Sequence, residues 1–206
     1  MTGSGPARKH STYGWQDYRN WPREQRWEIV SGEAYAMTPA PSTRHQHVVG
    51  ALFSALHRHF EGKECRPFVA PIDVRLSEQD VVQPDIAVVC AGDRIKPTHI
   101  EGAPTLVVEV LSPSSELHDR VRKMALYAQA VVREVWLVTP YPWLAEVFVL
   151  DGDSYRLKSC YSKKDTLESP TFTGLAVELR PVFDFPIPPD ERIDLVKEGR
   201  PEYATR

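Results

Sequence analysis

No stretch of this 206-residue chain stays apolar for the roughly 18 residues that a membrane-spanning helix needs. The opening residues, MTGSGPARKHSTYG, lack the apolar centre of a secretory signal. Residues 1–19 therefore read as a loose leader, and the expected location is cytoplasmic. Cysteine is scarce: Cys65, Cys90 and Cys160, with no zinc-ligand spacing between them. They read as isolated thiols in a reducing compartment. Neither sign of charge dominates, since 25 basic residues face 28 acidic ones. That excludes the broad positive field of a strong nonspecific nucleic-acid binder. A nucleic-acid partner would have to meet local patches such as DRVRK or KSCYSKK. Glycine-rich phosphate loops, G-x-S-x-G and H-E-x-x-H are all missing, and no organic cofactor is expected. The pairs His45/His47 and His57/His59 do not make a zinc site, because helix residues two apart point about 200° from each other.

What is present is a chain 42% hydrophobic, enough for one domain with a real core. Prolines mark the segment edges. RWEIV and EAYAM, joined by Ser31-Gly32, read as a β-hairpin. Apolar residues Val48, Val49, Leu52, Phe53, Leu56 and Phe60 recur at helical spacing and predict a helix over 44–60. FVAPIDVRL (68–76) and VVQPDIAVV (81–89) read as a second hairpin, and PTLVVEVL (104–111) as a central strand. SPSSE opens a helix over 116–131 with a stripe of Leu117, Val121, Met124, Ala128 and Val131. REVWLVTP (133–140) follows as a strand, parallel to the preceding one through a right-handed crossover. AEVFVL and SYRLKSCYS flank the turn Asp151-Gly152-Asp153, and 175–183 reads as a short strand or turn-helix piece. The tail from Pro186 to Arg206 is polar and peripheral. The fold class is α/β with a mixed sheet.

Asp85 and Glu109 carry the chemistry. Each is an acid in an apolar strand, QPDIAVV and TLVVEVL, where a carboxylate is costly unless something pairs with it. Two such acids on neighbouring strands suit a hard divalent cation.

The ordered set EIVSGEAYAM, PAPSTRHQHVVGALFSAL, VQPDIAVV, GAPTLVVEVLSPSS, DRVRKMALYA and EVWLVTP resembles the Uma family of restriction endonucleases, within the PD-(D/E)xK nuclease superfamily. The resemblance covers residues 20–185. It implies a restriction-endonuclease-like core, a four-stranded mixed sheet flanked by helices in α-β-β-β-α-β order. It also implies a Mg²⁺- or Mn²⁺-dependent endonuclease acting on DNA. Asp85 matches the acid of the PD motif and Glu109 that of the (D/E)xK motif. The motif lysine is absent: Leu111 stands there, and Lys123, on the following helix, takes its part. Glu33 and His45 match a family acid and a family histidine. The implied metal ligands are Asp85, Glu109, the carbonyl of Val110 and Glu33. The residues leave rivals open. Periodicity places Lys123 off the apolar stripe, as a solvated residue; Glu33 also reads as an exposed hairpin residue, and His45 as a core histidine. A nuclease-like domain that binds without cutting is the alternative function. Cutting both strands of a duplex favours a homodimer.

Overall fold

The computed structural model describes residues 12–22, 24–37, 40–112 and 118–186. The expected helix entrance at SPSSE, Leu117, the first eleven residues and the tail beyond Pro186 lie outside the described residues.

A short helix, α1 (Trp15–Tyr18), precedes the first hairpin, β1 (Trp27–Val30) and β2 (Glu33–Ala36). Ser31 and Gly32 both hold positive φ (52° and 78°), as the right-twisted two-residue turn requires. A Cβ on Gly32 would come within 2.8 Å of Thr12 Cβ, so only glycine fits. Residues 13–18, read from sequence as part of a loose leader, are packed against the domain. Tyr13 and Trp15 are buried against Ile29 and Val81, because aromatic rings on the hairpin face leave water.

The next helix, α2 (Thr43–Phe60), starts where Ser42 accepts the His45 N–H and ends in His57, Arg58 and His59, suited to the negative end of the helix dipole. It is followed by β3 (Arg66–Val69), β4 (Val74–Ser77), β5 (Asp80–Val82) and β6 (Ile86–Val89). The single hairpin expected over 68–89 is shared between two sheets. β4 and β5 pair in a five-stranded sheet ordered β2-β1-β5-β4-β7, with β7 at Ile100–Glu101. β3 and β6 pair in a six-stranded one. Pro71 and Pro84 sit at the transfer on the two strands, where a residue without an N–H interrupts the ladder.

The larger sheet is completed by β8 (Leu106–Val110), β9 (Glu134–Thr139), β10 (Leu144–Asp151) and β11 (Ser154–Ser162), in the order β11-β10-β9-β8-β6-β3. β8 and β9 are parallel, and the other neighbours are antiparallel. Between them a π-helical turn, His118–Lys123, runs into α3 (Met124–Gln129). The core thus runs α2-β3-β6-β8-α3-β9, the expected α-β-β-β-α-β order. Every residue of β8 is buried because both sheet faces are covered. Val48, Leu52, Leu56 and Phe60 of α2 pack on one face with Ile86, Leu106, Val108 and Trp136. Leu126 and Tyr127 of α3 pack on the other with Ala87, Val107, Val135 and Leu137. Each fully buried aliphatic side chain contributes about 2 kcal/mol. The 175–183 segment holds both forms read from it: β13 (Ala176–Glu178), paired with β12 (Thr166–Glu168), leads into α4 (Leu179–Phe183).

Two readings are corrected. Cys65 and Cys90 form a disulfide and only Cys160 is a free thiol. The antiparallel register that pairs Arg66 with Val89 sets these flanking cysteines opposite each other, a contact that their separation of 25 residues concealed. The helical stripe holds in part: Ala128 is buried and Met124 packs against the core, but two of its residues face water. Val121 and Val131 are exposed, while Asp119, Lys123, Leu126 and Tyr127 are buried. The buried face runs through Asp119, Lys123, Leu126, Tyr127 and Ala128, and its polar members turn inward to join Glu28 and Glu109.

Candidate active site

Antiparallel pairing of Ile86 with Val108 places Asp85 opposite Glu109, and residues directly opposite share a sheet face. That is the face covered by α3. Asp85 lies just before β6 and accepts the Val110 N–H at 2.8 Å through Oδ2. The same oxygen is 3.4 Å from His45 Nε2. Leu111 N–H bonds to Val138, on the β9 side. Val110, one residue earlier, therefore turns both its N–H and its carbonyl to the opposite edge, the side of Asp85.

Glu109 lies inside the sheet–helix layer. Its Oε1 accepts the Tyr127 hydroxyl at 2.5 Å and lies 2.7 Å from Lys123 Nζ. Lys123 Nζ is also 3.1 Å from Glu28 Oε1 and 3.4 Å from Asp119 Oδ1. The helical spacing of Asp119, Lys123 and Tyr127 thus does put them on one face, and that face looks inward. Glu28, on β1, is held further by the Gln83 backbone N–H at 2.8 Å and by His118 Nε2 at 3.2 Å. His118 in turn packs at a tilt against Tyr35, with ring centroids 4.8 Å apart. Arg120 pairs with Glu146 of β10 and fixes the π turn to the sheet.

The charges do not balance locally. Burial and the like charges of Asp119, Asp85 and Glu28 outweigh Lys123 and push the Glu109 carboxyl up to about 8. Burial alone would raise Glu28 too, but Lys123, His118 and the Gln83 N–H hold it down to about 2. Burial would lower Lys123, yet Glu109 and Glu28 raise it, so it stays an ammonium. Burial and Glu109 raise Tyr127, which stays a neutral donor.

Of the residues singled out from sequence, Asp85, Glu109, Lys123, His45 and the Val110 backbone come together. Glu33 does not join them. It is exposed at the start of β2 and accepts the Tyr35 hydroxyl at 2.6 Å. The hairpin acid that reaches Lys123 is Glu28, which sequence reasoning missed along with His118. The signal for Glu28 was available: it is a lone acid within RWEIV, as Glu109 is within TLVVEVL. The signal is not specific, however. Glu134, also a lone acid in an apolar strand, is satisfied by Trp136 Nε1, Ser169 Oγ and the Thr171 N–H, and simply anchors the β12–β13 segment.

The sequence model of the Uma2 family, described as "Putative restriction endonuclease", matches residues 15–181. The chain belongs to the Uma2 family. A curated relative in the cyanobacterium Synechocystis sp. is 30% identical over 158 residues, covering 74% of this chain and 82% of that protein, and is described as uncharacterized. A crystal structure from Anabaena variabilis, titled a "putative nuclease belonging to DUF820", superimposes with a TM-score of 0.66 at 16% identity, covering 82% of this chain and 97% of that one. At that identity the likeness establishes the fold. This Uma2 chain therefore has the mixed-sheet fold of a structure titled a nuclease, with acids from two neighbouring core strands at one end of its sheet. No helix among its described residues is long and apolar enough to cross a membrane.

Proposed function

We propose that this Uma2 protein is a Mg²⁺- or Mn²⁺-dependent endonuclease that hydrolyses DNA phosphodiester bonds. The observation that carries the reading is the convergence of Asp85, Glu109 and Lys123 at one end of β6 and β8. Among the described residues, no three carboxylate, imidazole or thiolate side chains group into a complete cation cage. The donors fit a different arrangement: two carboxylates and the Val110 carbonyl, with water filling the remaining positions, as Mg²⁺ prefers. The surplus of carboxylates over ammonium, visible in the raised Glu109, favours a cation there. When bound, the metal supplies Lewis-acid polarisation of the phosphate and a water of lowered pKa.

The remaining steps belong to the chain's own residues. Asp85 is oriented by the Val110 N–H and by His45. Tyr127 and Lys123 both grip Glu109 Oε1, which holds its other oxygen in a fixed direction. Lys123, charged at any working pH, stabilises negative charge developing on the phosphate. Glu28 and Asp119 keep that ammonium positioned and solvated in place of water. Glu33 is left out of the ligand set because it is exposed and bonded elsewhere. A homodimer is the working assembly, since two sites related by a two-fold axis cut both strands.

A second reading has its own observation. Lys123 already faces Glu28, Glu109 and Asp119, so its charge is consumed by a structural ion network and the domain binds without cutting. Calorimetric titration of Mg²⁺ or Mn²⁺, together with cleavage of linear and supercoiled DNA, separates the two. Under the nuclease reading, Asp85→Ala and Glu109→Ala each abolish metal binding and cleavage while Glu33→Ala does neither. Full cleavage by both acid variants sinks it, and metal binding without cleavage by the parent protein supports the second reading.

A further inference from the structure

Beside the smaller sheet lies a concavity of about 580 Å³, whose lining includes Tyr18, Arg19, Trp21, Arg26, Trp27 and Asp73. Its volume suits one flat small group, not a duplex. Gln83 also lines it, and the side chains here are tied together. The Gln83 amide donates to Tyr18 Oη and to Asp73 Oδ1, each at 2.9 Å. Tyr18 donates to the same Asp73 oxygen at 2.6 Å, and Arg26 Nε donates to Gln83 Oε1 at 2.7 Å. Among the described residues no hydrogen bond occupies Asp73 Oδ2. Trp21 meets Trp27 edge-on at 5.8 Å and Tyr18 at 5.5 Å, and all three rings are only half-buried. Arg19 and Arg26 are exposed at the rim.

This cavity adjoins the candidate active site. The backbone N–H of Gln83 donates to Glu28 Oε1, the oxygen facing Lys123. Gln83 is also two residues before Asp85. One residue therefore walls both sites.

We propose that the cavity holds an unpaired nucleobase of the strand whose phosphate lies at Asp85 and Glu109. Trp21 and Trp27 supply stacking surface, which every base can use. Arg19 and Arg26 meet the flanking phosphates, and Asp73 Oδ2 accepts an N–H from the base edge. The identity of the polymer rests on the nuclease reading, but the stacking chemistry does not. The same chemistry would accept a free mononucleotide, and the experiment separates the two sources.

Binding is followed by quenching of tryptophan fluorescence in EDTA, where cleavage cannot occur, so failure here and failure of the nuclease reading are seen separately. The probes are a short single-stranded oligodeoxyribonucleotide, an abasic strand of the same length, and deoxynucleoside monophosphates. The intact strand binds roughly 5- to 100-fold more tightly than the abasic one. Trp27→Ala removes that difference and Trp27→Phe restores part of it. Arg19→Glu weakens both strands alike, because it acts on phosphate. Circular dichroism checks that each variant is folded, and the comparison of strands on the parent protein needs no variant. Equal binding of intact and abasic strands overturns the proposal, as does monophosphate binding as tight as that of the intact strand.

Discussion

Glu28→Gln tests the buried network most directly. Glu28 is 3% exposed, and its neighbours hold its carboxyl at about 2 against an ordinary 4.5. A shift of that size corresponds to about 3 kcal/mol of folding free energy at neutral pH. The sign follows from the depression. The unfolded chain protonates this group first as pH falls, so the contribution is whole above 4.5 and disappears between there and about 2. Glutamine keeps an oxygen for the Gln83 N–H but removes the charge that faces Lys123 and His118. The variant should therefore lose about 3 kcal/mol at pH 7, the low end of what breaking a buried ion pair costs. By pH 2 the difference should approach zero. Urea unfolding curves at several pH values, read by the fluorescence of fully buried Trp136, give both numbers. A loss under about 1 kcal/mol at pH 7, or a loss that does not change with pH, would refute the account of Glu28 as the charge that balances Lys123.

Glu109→Gln should behave differently. With the carboxyl pushed up to about 8, its contribution is whole below 4.5 and lost as pH rises through 8, so the metal-free protein already carries a mostly protonated Glu109 at pH 7. The neutral amide escapes that loss, so the variant should be no less stable than the parent protein at pH 7 in urea unfolding, yet abolish Mg²⁺ binding by calorimetry. Val131 is a β-branched residue at φ 64°, 64% exposed at the end of α3. Val131→Gly should relieve that conformation and raise stability by about 0.5 to 1 kcal/mol, visible as a higher Tm.

The acids at the strand ends were legible because burying a carboxylate is expensive, so a lone Asp or Glu in an apolar strand demands an explanation. The same logic does not rank such acids. Glu28, Glu109 and Glu134 look alike in sequence, yet the first two meet Lys123 and the third meets a tryptophan, a serine and a backbone amide. Glu33 and Glu28 lie on the same face of one hairpin, and position along it tells them apart: Glu28, opposite Tyr35, reaches Lys123, while Glu33, beside the turn, is exposed and accepts the Tyr35 hydroxyl. Lys123 was masked by periodicity, because the buried face of that helix carries Asp119 and Lys123 beside its apolar residues, and polar members of a buried face do not register as an apolar stripe.

Apolar spacing, proline punctuation and the ordered family segments by themselves determined the α-β-β-β-α-β core and the pairing of Asp85 with Glu109 across it. These depend on local patterns and on strands adjacent in the chain. The tertiary structure alone decided which acids share Lys123, that the 68–89 hairpin serves two sheets, that Cys65 reaches Cys90, and that Tyr18, Trp21 and Trp27 border a cavity beside Glu28. Each of those depends on segments distant in sequence, with Asp73 and Gln83 closing the cavity over the N-terminal aromatics, and is fixed by how the sheets and helices close on one another and by the need to pair every buried charge.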